Sequence, residues 1–216
     1  MQADPTETLT PFTGHACPQE CWSCKGPVAL EDLFCPTCST IQPLGQVDHF
    51  KRLDLEATFD LDVNDLDRRY FELQGKLHPD RFATKTSQER TLSMQQATSL
   101  NDAYETLKDS LKRADYLVHM MGQNVLPEGC QLISAPDLLE EAMELREALA
   151  MAETADDIDA IAARAAGDID DCEIGLSKAF AGEDIEGACA LTTRLKYLRK
   201  LTDEVRQQRA KMTAMS

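Results

Sequence analysis

Residues 62–82, DVNDLDRRYFELQGKLHPDRF, decide how this chain folds. Leu66, Tyr70, Leu73 and Leu77 recur at helical steps and share one face, while Arg68, Arg69, Glu72 and Lys76 fall elsewhere on the same turn of chain. Asp62 stands in front as an N-cap, with Asp65 in the first turn, where a carboxylate favours a helix start. Pro79 has no amide hydrogen and drives His78 out of the helical region, so the spacing predicts a helix ending at or just before His78. Asp80 is then held at the tip of a stiff loop.

Outward from this stretch the chain divides into unlike parts. Residues 1–46 hold five of the eight cysteines and six of the nine prolines, with no helical periodicity. From 47 to 121 the pattern is helical, with a short apolar piece at Phe50 and Leu53 and a long run through Met94, Ala97, Leu100, Tyr104, Leu107 and Leu111, stopped by Gly122. Residues 122–134 read as a linker. Residues 135–216 carry three amphipathic patterns: one opened by Ser134 and Pro136, one by Thr154 and closed by Gly182, and one from about 184. A three-helix bundle is the economical arrangement.

The expected fold is therefore all-α, with a small zinc-ribbon-like segment in front. With 43% hydrophobic and 28% charged residues the composition is that of a soluble globular chain, and no apolar run reaches the roughly 20 residues of a membrane helix. The net charge of −16 argues against nucleic-acid and anionic-membrane partners, because phosphate contacts need clustered cations. The charge is uneven: residues 137–186 hold sixteen acids and three bases, residues 187–216 seven bases and two acids. Neither a secretory signal nor a presequence is visible in residues 1–16, so a cytoplasmic setting is expected, although a mitochondrial matrix chain without its presequence reads the same way.

Cys21-x2-Cys24 and Cys35-x2-Cys38 form two hooks of the kind that offer four thiolates tetrahedrally to Zn²⁺. The segment has too few apolar residues to fold alone, so structural zinc is expected rather than disulfides. Cys17 and His15 are spare donors at looser spacing. Cys130, Cys172 and Cys189 read as free thiols, the last two packed at helix positions. No nucleophilic pair and no glycine-rich phosphate loop is present, so neither an enzyme nor a nucleotide binder is expected.

Residues 47–121 resemble a J-domain, the module through which co-chaperones engage DnaK-type ATPase chaperones of the heat-shock-70 class. The resemblance rests on Arg68, Arg69 and Lys76, on His78-Pro79-Asp80-Arg81-Phe82, and on Asn101-Asp102-Ala103-Tyr104. More narrowly, Arg113-Ala114-Asp115-Tyr116-Leu117 and Met143-Glu144-Leu145-Arg146-Glu147-Ala148-Leu149 make residues 47–216 similar to the HscB family of iron–sulfur cluster assembly. The cysteine segment is similar to the metal-binding extension of the mitochondrial-type members.

The resemblance implies that the chain activates the ATPase of a DnaK/HscA-type chaperone, with Arg68, Arg69, Lys76, His78, Pro79, Asp80 and Arg81 as the contact. It also implies that the bundle carries an IscU-type iron–sulfur scaffold protein on Leu139, Met143, Glu144, Glu147 and Tyr197. Independently, Leu139 and Met143 lie about 90° or more from the Leu138/Ala142/Leu145/Leu149 stripe, beside acids. Two rival readings stay open: a general J-protein with other clients, and a zinc-ribbon nucleic-acid adaptor, for which Lys25 is the only base in residues 1–46.

Overall fold

The computed structural model describes residues 19–122, 125–126, 129–130 and 136–215, and at 125–126, 129–130, 136–139, 142 and 214–215 the backbone alone. His15, Cys17 and Ser134, and the side chains of Leu139 and Cys130, lie outside the described residues. Two compact units are formed. The first holds Asp48 and the described residues before it, together with Gln74–Ser99; the second holds His49–Leu73 and the described residues from Leu100 on.

In the first unit, β1 (Gln19–Glu20) pairs antiparallel with β2 (Pro27–Val28), Gln19 opposite Val28, and a single bridge joins Phe34 to Ile41. Each pairing supports one cysteine hook. Helix α2 (Val63–Leu77) ends in this unit one residue before His78, as Pro79 requires, and Pro79–Phe82 forms one turn of 3-10 helix. Helix α3 (Ser87–Lys108) opens on a reciprocal cap, in which the Glu89 amide donates to Thr86 Oγ1 at 3.2 Å and the Thr86 amide donates to Glu89 Oε2 at 3.0 Å. The apolar pattern placed Met94 on the core face of α3, but Met94 is 62% exposed and Leu92, Ser93 and Gln96 are buried instead. A face that buries two polar side chains is invisible to hydrophobic periodicity.

The second unit contains α1 (His49–Arg52), the start of α2, the end of α3, α4 (Ser110–Met120), a two-stranded piece, β3 (Val125–Leu126) with β4 (Gly129–Cys130), and the bundle helices α5 (Pro136–Met151), α6 (Ala155–Ala181) and α7 (Ile185–Met215). Asp62 caps α2, accepting from the Asn64 amide at 2.9 Å. The single long helix expected up to Gly122 is broken at Asp109, which takes an extended backbone and caps α4 by accepting from the Lys112 amide at 3.0 Å. Gly122, at φ +82°, ends that stretch as expected. Thr154 and Asp157 close a full capping box on α6.

The bundle core is Leu145, Leu149, Ile158, Ala165, Cys172, Leu176, Ala188, Leu195, Leu198, Leu201 and Val205. Gly175 lets α6 approach α7, since a Cβ there would stand 2.9 Å from Leu191 Cδ1. Arg194 on α7 donates to both carboxylate oxygens of Glu141 on α5 at 2.9 and 2.6 Å, and to Asp168 on α6 at 3.3 Å. Arg209 pairs with Asp159 at 2.8 Å, Arg146 with Glu204 at 3.3 Å, and Lys196 with Asp115 on α4 at 2.9 Å. The sign reversal after residue 186 thus places α7 bases against acids of its neighbours. A fully buried Leu contributes about 2 kcal/mol, an exposed ion pair about 0–1 kcal/mol, so apolar packing carries the bundle.

Helix α4 packs on α7 within this unit, and Phe59 stacks on Phe180 of α6 with ring centres 5.5 Å apart. Cys172 is a buried free thiol, but Cys189, expected to be free, is disulfide-bonded. Periodicity gives a cysteine its face of the helix and says nothing of its covalent state. Among the described residues no helix is long and apolar enough to cross a membrane.

Candidate functional site

The cysteine segment is built from two turns of the same kind. The Lys25 amide donates to Cys21 O at 3.0 Å and the Ser23 amide to Cys21 Sγ at 3.4 Å; the Ser39 amide donates to Cys35 O at 2.8 Å and the Thr37 amide to Cys35 Sγ at 3.4 Å. Lys25 and Ser39 each take a left-handed backbone, φ 63° and 58°, where glycine is the usual choice. Gly26 follows Lys25 because a Cβ there would fall 2.8 Å from Thr37 Oγ1.

These turns bring all four Sγ atoms of Cys21, Cys24, Cys35 and Cys38 within 4.8 Å of one another. Cys21 and Cys38 are 3.8 Å apart, and Cys24 and Cys35 are 3.7 Å apart. Tetrahedral thiolates about 2.3 Å from Zn²⁺ stand about 3.8 Å from each other, so the four positions fit that ion. Burial raises the Cys21 thiol, yet the Cys24 and Ser23 amides and the Cys35 and Cys38 thiols outweigh it and lower it to about 6. The Gly26 amide lowers Cys24, but Cys38, burial, Cys35 and Cys21 together push it up to about 12. The Thr40 hydroxyl and amide hold Cys38 below the ordinary thiol range. Zn²⁺ takes thiolates, so its binding displaces whatever protons the four sulfurs hold.

The His-Pro-Asp turn lies in the same compact unit. His78 caps the 3-10 turn, its Nδ1 accepting from the Asp80 amide at 3.3 Å. Arg81 Nη1 donates back to Gly75 O at 3.0 Å, and Phe82 is buried beneath the turn. The Asp80 side chain is 91% exposed, with His78 Nδ1 3.7 Å from one carboxylate oxygen. Lys76 is exposed one helical position before Leu77. Arg68 and Arg69 lie in the second unit. Arg68 is paired with Asp65, and Arg69 donates to Asp65 at 2.8 Å and to the Asp54 carboxylate at 2.7 Å, so these two cations are already engaged within the chain.

On α5, Met143 is 61% exposed and Glu144 and Glu147 face solvent. Tyr197 on α7 is half-buried and lines a hollow with Glu141, Leu145, Arg146, Arg194, Leu198 and Leu201. Glu141 and Arg146 were not read from the sequence as part of this surface, although both lie within one turn of Met143 and Glu144. Gln42 was missed at the cysteines; it donates to Cys21 Sγ at 3.4 Å, and its position four residues past Cys38 was the available signal.

A helical protein with an exposed His-Pro-Asp turn, a four-thiol centre and a charged C-terminal bundle belongs with the co-chaperones, and comparison with known proteins agrees. Residues 134–206 match the family described as the HSCB C-terminal oligomerisation domain. The iron-sulfur cluster co-chaperone protein HscB homolog of Arabidopsis thaliana is 32% identical over 186 residues, covering 86% of this chain and 72% of that protein. The iron-sulfur cluster co-chaperone protein HscB of Homo sapiens is 32% identical over 190 residues, covering 86% and 80%. The crystal structure of human co-chaperone protein HscB superposes with a TM-score of 0.82 at 30% identity, covering 88% of this chain and 98% of that one. The chain belongs to the HscB family of iron–sulfur cluster co-chaperones.

Proposed function

We propose that this chain stimulates the ATPase of a DnaK/HscA-type chaperone through the His78-Pro79-Asp80 turn and presents an IscU-type scaffold protein to it on the bundle. The observation that carries the first half is Asp80, a carboxylate 91% exposed on a turn fixed by Pro79, the His78 cap and the Arg81 bond to Gly75. A carboxylate so held loses little entropy on meeting a partner, and can bias the chaperone toward its hydrolysing state by binding that state better. Lys76 and Arg81 flank it and steer encounter with an acidic surface, raising the association rate more than the affinity. Arg68 and Arg69, which the resemblance adds to this contact, are each paired with acids within the second unit, Arg69 tying α2 to Asp54.

The second half rests on exposed Met143 beside Glu144 and Glu147, an apolar anchor among acids, with Leu139 on the same helix and Tyr197 at the α5–α7 seam. We assign zinc to Cys21, Cys24, Cys35 and Cys38, where it supplies folding free energy to a segment with almost no apolar core.

Steady-state ATPase assays with the cognate chaperone test the central reading. Wild-type chain is expected to raise the rate and Asp80→Ala to abolish that rise. Equal stimulation by Asp80→Ala overturns it.

A further inference from the structure

Two buried polar side chains one turn apart on α3 face in the direction that the core should occupy. Ser93 is 0% exposed and Gln96 is 1% exposed. Ser93 Oγ donates at 2.6 Å to the carbonyl of Leu77, the residue on which α2 ends and His78 begins. Gln96 Nε2 donates at 3.0 Å to the carbonyl of Gln42, itself buried. The Gln42 side chain donates in turn to Cys21 Sγ at 3.4 Å and to Thr40 O at 2.7 Å. All of these residues belong to one compact unit.

We infer that metal binding at the four cysteines sets the rigidity of the His-Pro-Asp turn, with Gln42, Gln96 and Ser93 as positioning residues. The inference rests on the metal and chaperone readings above and adds a link between them. Its physical basis is the poverty of the cysteine segment. The buried apolar side chains described there are Cys21, Val28, Cys35 and Ile41, so two of the four are themselves candidate ligands. Remove the metal and the thiols lose the ion that holds them together, so the backbone around Ile41 and Gln42 loosens with them. The Gln96 side chain then loses its hydrogen bond to the Gln42 carbonyl, and the loss of a buried hydrogen bond favours opening of the element that carries it. That element is the same face of α3 that clamps Leu77 through Ser93, because positions three apart are neighbours on a helix. Replacing this face with leucines would have been the simpler packing solution. Hydrogen bonds at both ends trade some stability for a defined register between segment, helix and turn.

Hydrogen exchange by mass spectrometry on the full chain tests this, with one equivalent of Zn²⁺ or after chelation, and with native mass spectrometry to count bound metal. In wild type, removing zinc is expected to speed exchange in peptides covering 77–83 and 87–99 by about fivefold to thirtyfold, the factor that about 1–2 kcal/mol produces. Peptides in α6 and α7 should not change. Gln96→Leu, and Gln96→Met as a second variant, should keep zinc while the 77–83 peptide stops responding to it. Unchanged exchange at 77–83 in wild type shown to have lost its zinc overturns the inference, and so does a zinc-retaining Gln96 variant that responds like wild type. A chain that takes up no zinc overturns the metal reading and the inference together. Because exchange needs no chaperone, a failed Asp80→Ala test is distinguishable from a failed link.

Discussion

Arg113 holds its guanidinium 4.9 Å from the centre of the Phe59 ring while its Nε donates to the Phe59 carbonyl at 2.8 Å and its Nη1 to the Leu107 carbonyl at 2.5 Å. One buried cation therefore ties the connection after α1 to the end of α3 and to α4, and burial lowers its pKa without removing its charge. Arg113→Met keeps the stem and deletes both donors. The expected cost is about 2–4 kcal/mol, from two carbonyls left short of partners and a lost cation–π contact. For a chain of this size that is a fall of about 4–16 °C in melting temperature by calorimetry. A shift under about 1 °C would show the guanidinium to be dispensable.

Acid should loosen the second unit. Arg68 and Arg69 lower the Asp65 carboxyl, and Tyr104 and Lys108 lower that of Asp67. A carboxyl lowered on folding adds stability that is fully present above its unfolded value of about 3.9 and is lost as pH falls through the folded value. Melting temperature should thus hold between pH 7 and 5 and drop below about pH 4. Asp67→Asn should lower it at pH 7 and flatten the acid drop; a variant with the wild-type slope would refute the assignment.

Asp80→Asn separates function from folding. A side chain 91% exposed, away from the core, should change stability by less than about 0.5 kcal/mol. Melting temperature should match wild type while stimulation of the chaperone ATPase disappears. A destabilised variant would mean that the lost activity reports on folding.

Truncating Met143 to Ala should weaken scaffold binding by about fivefold to tenfold in titration calorimetry, the scale of one interface anchor. Glu147→Lys should weaken it further at low salt than at high salt. Neither substitution should alter ATPase stimulation measured without scaffold, and unchanged scaffold affinity in both would move the docking surface off this face of α5.

Much of this was legible in the chain. Pro79 ends α2 because a missing amide hydrogen is a local fact, and Thr154 with Asp157 caps α6 for the same sort of reason. The four thiols sit in two hooks of the same spacing, each closed by the same local turn, and that repeat is visible in the sequence. What stayed hidden depends on partners distant in sequence. Leu92, Ser93 and Gln96 displaced Met94 from the core because the surface they meet is itself polar. Arg113 reads as a surface cation until the loop at Phe59 closes over it. Lys25 and Ser39 occupy left-handed positions with no glycine to announce them. The pairing of Cys189 is covalent information that spacing on a helix cannot hold.

The placement of the bases on α7 has a consequence for selectivity. Arg194 and Arg209 turn toward acids of α5 and α6, and Lys196 toward Asp115, so their charge is cancelled within the bundle. Glu140, Glu144 and Glu147 keep theirs on the outside of α5. A partner docking on this face as proposed would meet an anionic field first and the sulfur of Met143 second, and would be sorted by electrical sign before shape.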